Sequence, residues 1–181
     1  MKLLLAIISC ERDRHCHDVI RDTYLPSVAV IDHRFFLAGK EDDGYHSTYK
    51  KNHAIMQWVV DNDYDFVFTC DVDTYIVVPR LLACGFEQHD YMGHRCDEGH
   101  AGGGYGYWLS RRAVEILHAD PPDGTAAYND LGIGMKLRDH GILCHDDPGF
   151  GNGTITVHLG DSANHTYDPQ WMRDYHERHH I

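Results

Sequence analysis

The sequence predicts an α/β fold, with a mostly parallel central sheet and helices on both of its faces. Leu3–Ser9 is a continuous apolar run of strand length, as in a central parallel strand covered on both sides. Strand-like and helix-like segments alternate through the first half of the chain. A later strand-like run, Asp65–Cys70, ends directly on Asp71-Val72-Asp73. Open α/β sheets bind ligands just outside the carboxyl ends of their strands.

A charged stretch follows the first strand, and Val19–Val30 reads as helix interrupted by Pro26. Arg34–Gly39 reads as a second strand ending at glycine. From about Tyr45 to Val60, apolar side chains recur near helical spacing (Ile55, Trp58, Val59), which predicts a second helix. Asp65–Cys70 is the third strand. The second half is smaller in its elements and more mixed. Gly104–Leu109 reads as a strand and Arg111–His118 as a short helix. Asp130–His140 reads as another helix, with Gly141 where a C-terminal glycine belongs. Thr154–Leu159 alternates like a strand. With no internal repeat, low-complexity block or linker, residues 1–181 are expected to form one domain.

The composition is globular: 43% hydrophobic and 11% aromatic residues among 181. A formal net charge of −12 excludes a general nucleic-acid binder, because phosphate backbones must be met by Lys and Arg. It does not exclude a single nucleotide, whose charge a bound Mn²⁺ or Mg²⁺ can neutralise locally. The six cysteines (Cys10, Cys16, Cys70, Cys84, Cys96, Cys144) form no C-x-x-C pair, which disfavours structural zinc and a disulfide scaffold. The apolar run after Lys2 is short for a signal core, and no segment is long enough to span a membrane, so a soluble, cytoplasmic protein is expected. Asn152-Gly153-Thr154 and Asn164-His165-Thr166 fit the N-glycosylation pattern, which is too short to establish secretion. The histidine-bearing tail from His176 is read as a frayed polar terminus rather than a metal tract.

Four places carry chemistry. At the end of a buried strand, Asp71 and Asp73 can divide the handling of a nucleotide. One ligates a hard cation while the other orients the ribose or the metal's water shell. Gly102-Gly103-Gly104 lets backbone approach a ligand closely, and Tyr105, Tyr107 and Trp108 beyond it are either a sugar-stacking wall or an aromatic core strand. Asp130, at the start of a helix, is either an N-cap or a general base. His158 ends an apolar strand and is either an ordinary strand histidine or a further ligand for the Asp-x-Asp site.

These pieces stand in an order that resembles the β-1,3-galactosyltransferase and Fringe-like family of GT-A glycosyltransferases. Ile20-Arg21-Asp22-Thr23-Tyr24 is similar to that family's I-R-x-T-W, and Phe36-Leu37-Ala38-Gly39 to its F-x-x-G strand end. Asp43-Gly44-Tyr45 with Lys51 and Trp58 reproduces its D-x-Y…K…W helix. Tyr64-Asp65-Phe66 leading to Asp71-Val72-Asp73-Thr74-Tyr75-Ile76 resembles Y-D-F…D-D-D-x-F-V, with Val72 for the middle acid. Gly103–Ser110 resembles G-G-x-G-Y-x-L-S. Asn129-Asp130-Leu131-Gly132-Ile133-Gly134 resembles E-D-V-x-x-G, with Asn129 for the first acid. Thr156-Val157-His158 falls where the family has its late metal-binding histidine. His17 stands where the family has an arginine ahead of I-R. The resemblance covers about residues 3–160.

The resemblance implies a GT-A (Rossmann-like) domain, with a nucleotide-sugar half over about residues 1–75 and an acceptor half over about 76–181. It implies a metal-dependent inverting glycosyltransferase that moves a sugar from a UDP-sugar donor to a hydroxyl acceptor, in a β-1,3 linkage on a glycan. Asp73 and His158 would bind Mn²⁺ (or Mg²⁺), with Asp71 assisting through the ribose or the metal, and Asp130 would be the catalytic base. Ser9, Arg14, Lys51, Gly103 and Gly104 would lie against the nucleotide-sugar. The competing readings are a nucleotidyltransferase, disfavoured by the glycine-free Cys10-Glu11-Arg12-Asp13-Arg14 turn, and a non-catalytic sugar- or metal-binding module derived from a transferase.

Overall fold

A computed structural model gives the fold of residues 1–28, 30–37, 47–126, 128–160 and 167–179. Strand β1 (Leu3–Ser9) lies between β2 (Asp32–Leu37) and β3 (Phe66–Asp71), parallel to both. The sheet continues through β6 (Tyr107–Ser110), β5 (Tyr91–Gly93) and β7 (His145–Asp146), in the order β2-β1-β3-β6-β5-β7. Only β6 runs against the others, being antiparallel to both β3 and β5 while β7 is parallel to β5. A second, two-stranded sheet pairs β4 (Thr74–Ile76) with β8 (Thr156–His158) in antiparallel register.

Alternate residues of β1 feed two cores, as strand geometry requires. Leu3, Leu5 and Ile7 face a layer that holds α1 (His17–Asp22), α3 (Val78–Leu82), the β4–β8 pair and α6 (Pro169–Arg178). Leu4 and Ala6 face α2 (Thr48–Asp61), α4 (Arg111–Ala119) and α5 (Asn129–Asp139). A fully buried aliphatic side chain such as Leu4 or Leu5, both 0% exposed, contributes about 1.5–3 kcal/mol of transfer free energy. The junction from β6 to α4 is capped by Ser110, whose Oγ accepts from the Ala113 N–H at 3.2 Å.

Several elements differ from the sequence reading. The segment read as helix over 19–30 interrupted at Pro26 is α1, ending at Asp22, preceded by a 3-10 turn over Glu11–Cys16 and followed by another at Leu25–Ser27 that contains Pro26. Regular helix stops before Pro26, which has no N–H to continue an α-helical ladder and sits in the first turn of the 3-10 segment. Gly104 belongs to a 3-10 turn (Gly103–Tyr105), and β6 begins only at Tyr107, after Gly106 at φ +78°. The tail read as frayed is α6 up to Arg178. Asp168 caps it, Met172 anchors it in the core, and His176 Nδ1 lies 2.7 Å from Tyr75 Oη. Ala38-Gly39, Asp43-Gly44-Tyr45 and Asn164 lie outside the described residues. None of the six cysteines is joined in a disulfide. No described helix is long and apolar enough to cross a membrane.

Candidate functional site

The carboxyl end of β3 delivers Asp71, and the turn into β4 delivers Asp73. The β4–β8 ladder pairs Thr74 with His158, and the Leu159 N–H donates to the Asp73 carbonyl at 2.9 Å. This register sets His158 Nε2 3.1 Å from Asp73 Oδ2, with both side chains about one-fifth exposed at 20% and 19%. Residues distant in sequence therefore meet at the mouth of the sheet.

The glycine turn closes one wall. Thr74 Oγ1 donates to the Gly104 carbonyl at 2.9 Å, and a Cβ on Gly104 would lie 3.0 Å from His158 Cδ2. Beside it, the Gly103 N–H donates to Asp130 Oδ2 at 2.8 Å. Asp130 sits in the first turn of α5, and Tyr128 occupies the cap position without a side-chain bond, so Asp130 is not the N-cap. Its Oδ1 accepts the neighbouring Leu131 N–H at 3.0 Å. Tyr107 and Trp108, 2% and 0% exposed, are core residues and offer no sugar-stacking wall; only Tyr105 remains half-buried, edge-on to His158.

Electrostatics bind these residues into one site. Burial, and then the Asp73 carboxylate, push Asp71 up to about 7, with Asp130 adding to the rise and His158 and Lys51 opposing it. The hydrogen bond to Asp73 holds the His158 imidazole above its ordinary range, against the opposing effect of burial. Lys51, 6% exposed on α2, is a buried cation whose charge acts on Asp71. Asp71, Asp73, Asp130, His158, Lys51 and the two glycines thus share one locality.

Ser9 and Arg14 stand differently. Ser9, 3% exposed at the end of β1, places its Oγ 2.7 Å from His17 Nε2, and that imidazole stacks on Phe35 with centroids 3.9 Å apart. Burial, then Arg21 and Arg14, lower the His17 pKa. Arg14 is exposed and donates from Nε to Glu11 at 2.6 Å, so its guanidinium is held on the turn.

Sequence reasoning missed two residues here. His100, 6% exposed, has Nε2 3.8 Å from Asp130 Oδ2. The available signal was Gly134 inside a helix, where glycine is unfavourable: a Cβ there would strike the Cβ of His100. The second is Gly160, which has no room for a side chain between Asp73 and His158.

For a divalent cation, the observation that bears is Asp73 Oδ1, which is buried with no hydrogen-bond partner among the described residues. A buried carboxylate oxygen without a donor is costly unless a cation or a bound ligand meets it. Carboxylate oxygen with imidazole nitrogen suits Mn²⁺ or Mg²⁺ when phosphate oxygens complete the shell. Among the described residues, no group of three or more His, Cys, Asp or Glu stands ready to hold an ion.

No protein-family model and no curated protein matches the sequence. Among solved structures, the chain is similar to a glycosyltransferase involved in glycosylation of the major capsid of PBCV-1. The TM-score is 0.57 at 11% identity, covering 99% of this chain and 100% of that one. It is also similar to a variant of the Drosophila β-1,4-galactosyltransferase 7 in complex with manganese, UDP-Gal and xylobiose. There the TM-score is 0.58 at 16% identity, covering 93% of this chain and 76% of that one. These likenesses establish the fold, which is that of the GT-A glycosyltransferases.

Proposed function

We propose that the chain is a metal-dependent inverting glycosyltransferase that transfers a hexose from a UDP-sugar to a hydroxyl of a glycan, forming a β-1,3 linkage. The observation that carries this reading is the meeting of Asp73 and His158 at 3.1 Å at the carboxyl end of β3, with Asp71, Lys51 and Asp130 around them. That is where α/β sheets bind nucleotides. The similar galactosyltransferase was solved with manganese and UDP-Gal, which supports the same chemistry here.

Asp73 and His158 would hold Mn²⁺ or Mg²⁺ together with the donor's diphosphate oxygens, and Asp71 would act on the ribose or on the metal's water. A cation held there would supply Lewis-acid stabilisation to the departing diphosphate. Lys51 would add a positive charge from α2. Ser9, held by His17, would meet the nucleoside at the end of β1, and Arg14 would reach it by leaving Glu11. Gly103 and Gly104 allow the sugar close approach to backbone and fix Asp130 through the Gly103 N–H. Asp130 would take the proton of the acceptor hydroxyl as that oxygen bonds to the anomeric carbon and the bond to UDP breaks. Inversion follows from the single displacement. Residues 1–181 would act as one domain, with donor contacts mostly before residue 76 and acceptor contacts after it.

The test is UDP release from a panel of UDP-sugars with Mn²⁺, with Mg²⁺ and with chelator. Metal-dependent release that Asp73→Ala abolishes is expected. No release from any sugar, or full release by Asp73→Ala, removes the reading.

A further inference from the structure

The loop between β5 and β6 carries a buried histidine that the mechanism above leaves unused. His100 is 6% exposed, and its Nε2 lies 3.8 Å from Asp130 Oδ2. Backbone hydrogen bonds pin the loop on both sides of it. The Cys96 N–H donates to the His100 carbonyl at 2.8 Å, and the Gly102 N–H to the His94 carbonyl at 3.0 Å. The Ala101 N–H donates to Tyr91 Oη at 2.7 Å.

Helix α5 is fitted to this residue. Gly134 follows Asp130 by four positions, so the two lie on one face of the helix, about one turn apart. A Cβ on Gly134 would overlap the His100 Cβ and lie 3.0 Å from its Cα. Glycine is unfavourable inside a helix, and here it lets α5 close onto the histidine. The loop thus sits against Gly134 while the imidazole reaches along the same face to Asp130.

The two ring nitrogens face different acids. Nδ1 lies 4.0 Å from Glu98 Oε2 and is buried without a hydrogen-bond partner among the described residues. The Glu98 side chain is 65% exposed, so water screens its hold on the ring. That of Asp130 is only 21% exposed, where a charge acts more strongly. A lone pair on Nε2 facing a carboxylate oxygen is repulsive, so a proton belongs on Nε2. At 3.8 Å the contact is longer than a hydrogen bond; catalytic contacts often stand this far apart before substrate binds, and tighten on binding.

Asp130 Oδ2 also accepts the Gly103 N–H at 2.8 Å, whereas Oδ1 accepts the adjacent Leu131 N–H at 3.0 Å. We propose that His100 is a positioning residue for Asp130. Its Nε2–H donates to Oδ2 and, with the Gly103 N–H, fixes the carboxylate so that Oδ1 takes the proton of the acceptor hydroxyl. The imidazole keeps its own proton throughout. This assignment deepens the reading of Asp130 as the base and rests on it.

The experiment compares the full chain with its His100→Gln and His100→Leu variants. Glutamine keeps a donor near the place of Nε2, and leucine keeps bulk without a donor. In sugar transfer with Mn²⁺, kcat falls about tenfold to a hundredfold in His100→Leu at unchanged KM for the UDP-sugar, and His100→Gln restores most of it. Unchanged kcat in His100→Leu, or equal losses in both variants that follow their thermal midpoints, overturns the proposal. Imidazole ¹⁵N–¹H spectra give a second readout and decide by themselves if His100→Leu does not fold. The His100 signal is the one missing from His100→Gln. It shows a proton on Nε2 and shifts in Asp130→Asn, whose neutral amide oxygen is a weaker acceptor. The Nδ1–H tautomer, or a signal indifferent to Asp130→Asn, overturns the proposal. The expected spectra in a protein that releases no UDP from any sugar would keep His100 as the partner of Asp130 and remove the transferase reading.

Discussion

Gly160 and Asp73 stand so close that a Cβ on the glycine would collide with the carboxylate, while the same atom would lie 3.3 Å from His158 Cε1. The Asp73–His158 pair therefore depends on a residue that bears no functional group. Gly160→Ala must push Asp73, His158 or the backbone aside. We expect the protein to fold and to lose affinity for UDP with Mn²⁺ by about tenfold or more, as calorimetry would show. Unchanged affinity would mean that the pair is not where the nucleotide's cation binds.

The raised Asp71 pKa makes stability depend on pH in a defined sense. The folded value, about 7, lies above the ordinary 3.8, so the native state holds this proton more tightly than the unfolded chain does. The associated stability is fully present below about 3.8 and is lost as pH rises through about 7. His158, also raised, acts in the same direction. Asp71→Asn removes the charge that burial and Asp73 disfavour, so its thermal midpoint in chelator should fall less than the wild type's between pH 5 and pH 8. Parallel melting curves across that interval would contradict the assigned burial of the charge.

Asp130 bears on two properties that one substitution can separate. In Asp130→Asn, the amide oxygen can still accept the Gly103 N–H, so the glycine turn should hold and UDP binding should persist. A carboxamide cannot take a proton from an alcohol, so turnover should drop by about 10²–10⁴. Steady-state transfer kinetics beside UDP affinity check this. Near-normal turnover would exclude Asp130 as the base.

Gly106 tests the wall itself. It has φ +78°, a conformation L side chains rarely adopt, and a Cβ there would enter the Phe68 ring. Gly106→Ala should destabilise the fold by more than about 2 kcal/mol, because strain and overpacking add. A shift in the urea midpoint with unchanged slope would report it.

How far the sequence alone reaches is clearest at β1 and β3. Leu3–Ser9 matched its strand to the residue, and Asp65–Cys70 was displaced by one, because a buried strand records its environment in its own composition. The placement of Asp71 at a strand end follows from that same local signal. The short strands β4, β5 and β7, of three residues or fewer, left no such record, whereas the equally short β8 was legible through the longer alternation of Thr154–Leu159 around it. The pairing of β4 with β8 is a contact between distant segments, and it alone brings His158 to Asp73. Likewise, whether Tyr107 and Trp108 face a ligand or the core depends on which sheet face is covered, and sequence does not encode the covering elements at that spot. Local pattern determined the strands and the acids at their ends. Tertiary register decided which histidine and which glycines those acids face, because register is set by packing between segments that share no local sequence signal.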